Sequence, residues 1–177
     1  GVTELSDRKA LALRSFGVSS HYDTAIFNYF NQGEAAEAAF KQSIPQAQAL
    51  RYGENPHQAG TFYGKLDDMF DILGGKALSF NNLVDVDAAV GLMREFQDAD
   101  PTFAILKHTN SCGIATRPTL LQAWTDALAA DNVSAFGGIV AFNRKVDLKT
   151  AEKLNEIFLE IIVAPEYDDE ALEILKK

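Results

Sequence analysis

The sequence predicts an α/β protein of three layers, with a mostly parallel sheet flanked by helices. Short apolar runs at residues 103–106, 139–142 and 160–165 have the length and the β-branched content of buried strands. Between these runs lie longer segments in which apolar residues recur at helical spacing. Regular alternation of strand and helix is typical of a mostly parallel sheet with helices packed on it.

The composition is that of one ordinary globular domain. The 177 residues are 47% hydrophobic and 23% charged, which argues against disorder, and the formal net charge of -9, without a lysine or arginine block, predicts no nucleic-acid partner. The single cysteine, Cys112, excludes an internal disulfide, and His21, His57 and His108 show no metal-ligand spacing. Because no membrane-length apolar run and no secretory signal is visible, we expect a cytoplasmic protein without zinc and without membrane association.

The first 45 residues are predicted to form a helical lead-in. Ser6 and Asp7 precede apolar residues at helical spacing and predict a helix start, and Gly17 predicts its end. A second helix should begin near Tyr22 and continue through residues 34–39. No chemistry is visible here, since aromatic residues at helical spacing are usually core residues.

A loop with possible binding groups is predicted at residues 43–60, where prolines and glycines interrupt the pattern. Arg51 offers a planar guanidinium suited to phosphate or carboxylate, Tyr52 offers a ring with a hydroxyl, and Gly53 lets the backbone approach a ligand closely. The alternative is an ordered connector with a surface arginine.

The rest of the chain continues the alternation. After the loop we expect strands at residues 61–63 and 71–78, a turn at residues 81–82, and a helix with Asp85 and Asp87 in its first turn. The later elements are, in order, a helix from Pro118, a glycine-bearing turn at residues 134–138, the strand at 139–142, a helix capped by Asp147, the strand at 160–165 and a closing helix at 168–176.

The central strand delivers reactive side chains to its end. Lys107 and His108 follow the apolar run at residues 103–106, and ligands of open α/β sheets bind outside the carboxyl ends of such strands. An ammonium can stabilise an oxyanion while the neighbouring imidazole carries a proton. A solvated pair is the alternative reading of these two residues alone. Cys112, four residues after His108, is better explained as a small buried thiol than as a protease nucleophile.

Four segments, at residues 50–58, 76–82, 107–113 and 134–144, closely resemble in this order the bifunctional purine enzymes that combine AICAR formyltransferase with IMP cyclohydrolase. The resemblance implies that residues 1–177 are the first subdomain of the formyltransferase region, with an α/β core at residues 46–177 and a cytidine-deaminase-like fold. It also implies that the cyclohydrolase domain and the second subdomain are absent. The deaminase zinc signatures, His-x-Glu and Pro-Cys-x-x-Cys, do not occur, so we expect this fold without zinc.

The resemblance also implies a reaction and a site. The family transfers a formyl group from 10-formyltetrahydrofolate to the 5-amino group of AICAR, giving FAICAR, which the parent enzyme cyclises to IMP. It implies that His108 takes the proton and that Lys107 supports the transition state. Substrate-binding roles are implied for Arg51, Tyr52, Phe136, Gly137 and Glu160.

The expected partners follow from the same resemblance. They are AICAR, the folate co-substrate, and a second copy of the chain, because the family acts as a homodimer. The family builds its active site between subdomains and across the dimer. The alternative is therefore that this chain by itself is a non-catalytic folding or dimerisation module.

Overall fold

The computed structural model describes residues 2–33 and 36–176, which contain five α-helices and six β-strands and confirm the α/β class. The chain divides into two compact units. Unit 1 comprises Gly1–Ala49 and Thr61–Phe70, and unit 2 comprises Leu50–Gly60 and Asp71–Lys177.

Unit 1 begins with one long helix, α1 (Leu5–Phe30), of 26 residues. Its N-cap is Glu4, whose backbone N–H donates to Asp7 Oδ2 at 2.9 Å in a capping box. The expectation of two helices separated near Gly17 is therefore wrong. A glycine inside a helix costs only about 1 kcal/mol relative to alanine, which is too little to interrupt a helix of this length.

The remainder of unit 1 is mostly extended. Residues 36–39 are not helical, which corrects the predicted second helix, and Glu34 and Ala35 lie outside the described residues. β1 (Ala47–Ala49) pairs antiparallel with β2 (Thr61–Tyr63), so the strand expected at residues 61–63 is confirmed. A short 3₁₀ helix, Leu66–Asp68, follows.

Unit 2 is organised around a four-stranded sheet with the strand order β4-β3-β5-β6. The expectation of a mostly parallel sheet is wrong: β3 is antiparallel to both of its neighbours, and only β5 and β6 are parallel. The cause is a direct hairpin between β3 and β4, which reverses the chain before any helix intervenes. The strands are β3 (Thr102–Lys107), β4 (Asn110–Thr116), β5 (Gly138–Phe142) and β6 (Leu159–Val163).

Helices cover both faces of this sheet, as the three-layer expectation required. Phe103 and Ile105 of β3 belong to one core cluster with Trp124, whereas Ala104 and Leu106 are equally buried and point to the opposite face. α2 contacts β3, β5 and β6 on that opposite face, and α3, α4 and α5 contribute to the cluster. The helices are α2 (Phe80–Arg94), α3 (Leu120–Ala130), α4 (Leu148–Leu154) and α5 (Asp169–Leu175).

The segment before α2 differs from its prediction. Residues 71–78 contain no strand, because the pair Gly74 and Gly75 interrupts them and Gly75 has a φ of 95°. Asn82, predicted in a turn, lies in the first turn of α2, where its backbone N–H donates to the Ser79 hydroxyl at 3.2 Å. Asp147, in contrast, caps α4 as predicted and accepts from the Thr150 backbone N–H at 2.8 Å.

Candidate active site

Lys107 is the last residue of β3, an interior strand, and it is half-buried. Because β5 runs antiparallel to β3, the end of β3 lies beside the start of β5, with Leu106 opposite Ile139. The Lys107 ammonium donates to the Phe136 carbonyl oxygen at 2.6 Å. This bond joins the end of β3 to the turn before β5, and so brings the expected catalytic Lys107 to Phe136, which is expected to bind substrate.

His108 lies in the two-residue turn that connects β3 to β4. His108 and Thr109 have φ angles of 51° and 64°, the left-handed geometry of a tight type I′ hairpin, for which asparagine and glycine are the usual residues. The His108 carbonyl accepts from the Thr109 hydroxyl at 2.6 Å and from Asn110 Nδ2 at 2.8 Å. His108 is exposed to solvent, so a reactant can approach its imidazole.

The turn is also attached to α2. The Thr109 backbone N–H donates to Asp85 Oδ1 at 2.8 Å across 24 residues of sequence. Asp85 lies one turn inside α2 and is half-buried. The amino-terminal part of α2 therefore contacts the turn that carries His108.

Gly137 lies in the turn that receives Lys107, with a φ of 68° that favours glycine. Its backbone N–H donates to the Phe158 carbonyl at 2.8 Å. The rings of Phe136 and Phe158 lie 5.6 Å apart and are 59% and 57% exposed, so they form an uncovered aromatic pair next to the Lys107 contact.

Glu160 is the second residue of β6 and reaches α2. Because β6 is parallel to β5, with Gly138 opposite Leu159, Glu160 lies at the end of the sheet where β5 begins. Its Oε2 accepts from Asn82 Nδ2 at 2.9 Å. Asn82 Oδ1 in turn accepts from the Ser79 hydroxyl at 2.9 Å, which fixes the orientation of the amide.

Arg51 and Tyr52 are attached to the start of α2 through the backbone. The Arg51 N–H donates to the Leu78 carbonyl at 2.9 Å, and the Phe80 N–H donates to the Tyr52 carbonyl at 3.1 Å. The Arg51 guanidinium is exposed, stands 4.7 Å from the Tyr52 ring centre and donates to the Tyr52 hydroxyl at 2.9 Å. The structure thus ties Lys107 to Phe136 directly, whereas Arg51 and Tyr52 bond to the backbone of Leu78 and Phe80 at the start of α2.

Comparison with known proteins decides the family. The model of the AICARFT/IMPCHase bienzyme family matches residues 1–177. The chain belongs to this family. It is 57% identical over 98% of its length to a Bacteroides thetaiotaomicron protein named bifunctional purine biosynthesis protein PurH, of which it covers 33%. Proteins of the same name from Thermoanaerobacter sp. and Chlorobium phaeovibrioides are 46% and 44% identical over the whole chain, which covers 36% of each.

The chain therefore spans about a third of the length of its PurH relatives. The α/β fold with a mixed sheet agrees with membership of this family. Within residues 2–33 and 36–176, no group of three or more His, Cys, Asp or Glu side chains could hold a metal ion. In the same ranges, no helix is long and apolar enough to cross a membrane.

Cys112 of this AICARFT/IMPCHase family member lies in β4 and is half-buried. Burial raises the pKa of its thiol above the ordinary value. Its Sγ donates to the Ile105 carbonyl at 3.6 Å. A thiol with a raised pKa is less often ionised, so the geometry favours a packed side chain over a nucleophile.

Two residues at this end of the sheet were not singled out from the sequence. Asn82 contacts Glu160, and Asp85 contacts the turn after His108. The spacing of Ser79 and Asn82, three residues apart at a helix start, is a signal for the cap but not for the contact with Glu160. The prediction that Asp85 and Asp87 lie in the first turn of a helix is wrong, because α2 begins at Phe80 and its first turn holds no acidic residue. The contact of Asp85 with the turn could not be predicted, since its partner is 24 residues away in sequence.

Proposed function

We propose that this protein acts in purine biosynthesis as the part of a PurH enzyme that carries AICAR formyl-transfer chemistry. Membership of the AICARFT/IMPCHase family supports the pathway and the reaction class. The observation that carries the proposal is the contact of Lys107 with the Phe136 carbonyl, next to a hairpin turn that presents an exposed His108. An ammonium and an imidazole on adjacent residues are the two groups that this reaction needs.

The proposed chemistry follows from the poor nucleophilicity of the AICAR amine, whose lone pair is delocalised into the imidazole and the carboxamide. The amine nitrogen attacks the formyl carbon of 10-formyltetrahydrofolate, and His108 accepts the proton that the nitrogen loses. Lys107 stabilises the oxyanion on the formyl carbon. When this intermediate collapses, the bond to N10 of the folate breaks and N10 takes a proton, giving FAICAR and tetrahydrofolate. In the proposed parent enzyme, FAICAR is then cyclised to IMP.

The binding roles are proposed on the chemistry of each side chain. Arg51 offers a bidentate guanidinium to the phosphate of the nucleotide, and Tyr52 stands beside it. Gly137 lets the backbone approach the nucleotide, with the Phe136 ring beside it. Glu160 offers a carboxylate acceptor to the substrate amino groups. Zinc has no step in this proposal, because the imidazole and the ammonium supply proton transfer and charge stabilisation.

The test uses a chimeric PurH in which these 177 residues replace the matching third of the Bacteroides thetaiotaomicron protein. His108→Ala should slow formyl transfer about 10²- to 10⁴-fold, the usual contribution of a general base, with AICAR affinity little changed. The matched control is His21→Ala, an exposed histidine in unit 1. Transfer by the His108 variant at the rate of the His21 control would contradict the proposal.

We also propose that a second copy of the chain covers α1, and that the chain alone is a non-catalytic module. The supporting observation is that α1 has no buried residue and exposes many large apolar side chains. These are Leu5, Leu11, Leu13, Phe16, Val18, Tyr22, Ile26, Tyr29 and Phe30. Such continuous apolar exposure is rare on monomeric proteins and marks interaction surfaces.

Sedimentation of the 177-residue chain over a range of concentrations tests this second proposal. The chain should associate, and Phe16→Glu should shift the association to at least tenfold higher concentration, because it places a charge in the apolar contact. Ser15→Glu adds the same charge at an exposed polar position of α1 and is the control. A strictly monomeric chain at high concentration would contradict the interface, and steady release of tetrahydrofolate by the chain alone would contradict the non-catalytic role.

A further inference from the structure

The turn that carries His108 has an unfavourable local sequence. A two-residue hairpin turn with positive φ at both positions is normally built from asparagine, aspartate and glycine, whereas here it is built from His108 and Thr109. Thr109 is β-branched, and the left-handed conformation is strained for such a residue. A conformation of this kind persists only when contacts around it hold it in place.

Contacts within the hairpin supply part of that support. The Thr109 hydroxyl and the Asn110 amide both donate to the His108 carbonyl. Both bonds lie within the hairpin, so they hold the shape of the turn, and the pairing of Lys107 with Asn110 attaches its two ends to the sheet. Within the described residues, one hydrogen bond connects this turn to another element. In this bond the Thr109 N–H donates to Asp85 of α2.

α2 gives Asp85 a rigid base for that contact. Val86 and Ala89 of α2 are buried, so the helix is held by the sheet on which it packs. Its start is fixed by the Ser79 cap. The hydrogen bond to Asp85 therefore fixes the backbone of the turn relative to the packed helix α2. Lys107 is held independently, by the Phe136 carbonyl on the β5 side.

We propose that Asp85 is a positioning residue for His108: its carboxylate accepts the Thr109 N–H and so fixes the backbone from which the imidazole projects. The inference rests on the proposed formyl transfer and adds a residue to it. Lys107 and His108 are adjacent in sequence but are held by two different elements: the turn before β5 contacts Lys107, and α2 contacts the turn that carries His108. Misplacement of a reacting group by about 1 Å can cost on the order of 10² in rate, so this contact is expected to matter for turnover more than for binding.

The experiment uses the same PurH chimera and measures kcat and KM for AICAR. Asp85→Ala should lower kcat about 10- to 100-fold and change KM less than about threefold, because the residue acts through the turn and not on the substrate. Asp85→Asn keeps an oxygen that can accept the Thr109 N–H, so it should recover most of the lost kcat. Asp87→Ala removes an exposed carboxylate from the same helix and should leave both constants unchanged.

The outcomes separate this inference from the proposed function. If His108→Ala is slow while Asp85→Ala matches Asp87→Ala, the positioning role is wrong and the formyl-transfer site stands. If His108→Ala has normal turnover, the proposed function itself fails. Equal loss in Asp85→Asn and Asp85→Ala would overturn the inference, because asparagine keeps an acceptor for the Thr109 N–H. Thermal unfolding serves as the check on folding, since alanine is a good helix former and α2 should survive the change. A fall in kcat matched by loss of the folded fraction would also overturn the inference.

Discussion

The two units of this protein treat their apolar residues in opposite ways. In unit 2, Phe103, Ala104, Ile105 and Leu106 of β3 are all 0–1% exposed, because helices cover both faces of the sheet. In unit 1, α1 runs for 26 residues without one buried residue. The comparison shows that the interior strand β3 is buried because both of its faces are covered, whereas no other described residue buries the apolar side chains of α1.

The largest expected difference between the two units is the loss of stability when a phenylalanine is replaced by alanine. Phe103 is 0% exposed, and its ring packs edge-on against Trp124 and Phe142 with centroids 4.9 and 4.6 Å away. Phe103→Ala should lower the free energy of unfolding by about 3–5 kcal/mol, because it leaves a cavity and removes two aromatic contacts. Phe40→Ala, at a position 89% exposed in unit 1, is the control and should change it by less than about 0.5 kcal/mol.

Denaturant unfolding measures both free energies. A similar small effect for the two variants would mean that the sheet of unit 2 is not closed by the packing described here. A large effect for Phe40→Ala would instead mean that unit 1 buries apolar surface against another molecule.

A smaller difference in stability between the two units is expected when a glycine is replaced by alanine. A Cβ on Gly113 of β4 would clash with the Ala127 carbonyl oxygen of α3, so Gly113→Ala must push the helix away from the sheet. We expect a loss of about 3 kcal/mol, at the upper end of ordinary overpacking. A Cβ on Gly17, in the middle of α1, would meet no atom within 4 Å, so Gly17→Ala should gain about 1 kcal/mol of helix stability.

Thermal unfolding, followed by circular dichroism, measures the two glycine variants. Tolerance of Gly113→Ala would contradict the close approach of β4 to α3. A loss of stability in Gly17→Ala would show that a partner molecule lies against α1 at that point.

Local patterns were sufficient for much of unit 2. The apolar runs predicted β3 and β5, and Asp147 was predicted as the cap of α4, where the structure confirms it. These features depend on side-chain chemistry and spacing within a few residues. The resemblance to the family came from the same source, since it rests on residues close together in the chain.

The tertiary structure decided the strand directions and formed β4, which the sequence did not predict. β4 follows a turn of His108 and Thr109, which lacks the asparagine and glycine that normally mark a hairpin, so the sequence gives no warning of the reversal. That single hairpin makes β3 antiparallel to both neighbours. The positive φ angles are stabilised by contacts formed only on folding, including the bond from Thr109 to Asp85.

In the candidate site, too, the sequence could identify some features, and others are formed only by folding. Lys107 and His108 could be selected from sequence, because an ammonium and an imidazole at the end of an apolar run have a chemical meaning wherever they occur. The contacts of Lys107 with Phe136 and of Thr109 with Asp85 could not, because their partners lie 29 and 24 residues away and meet only when β5 and α2 pack on β3. The sequence by itself determined which groups are present, and the packing of helix and sheet decided which of them are held in place.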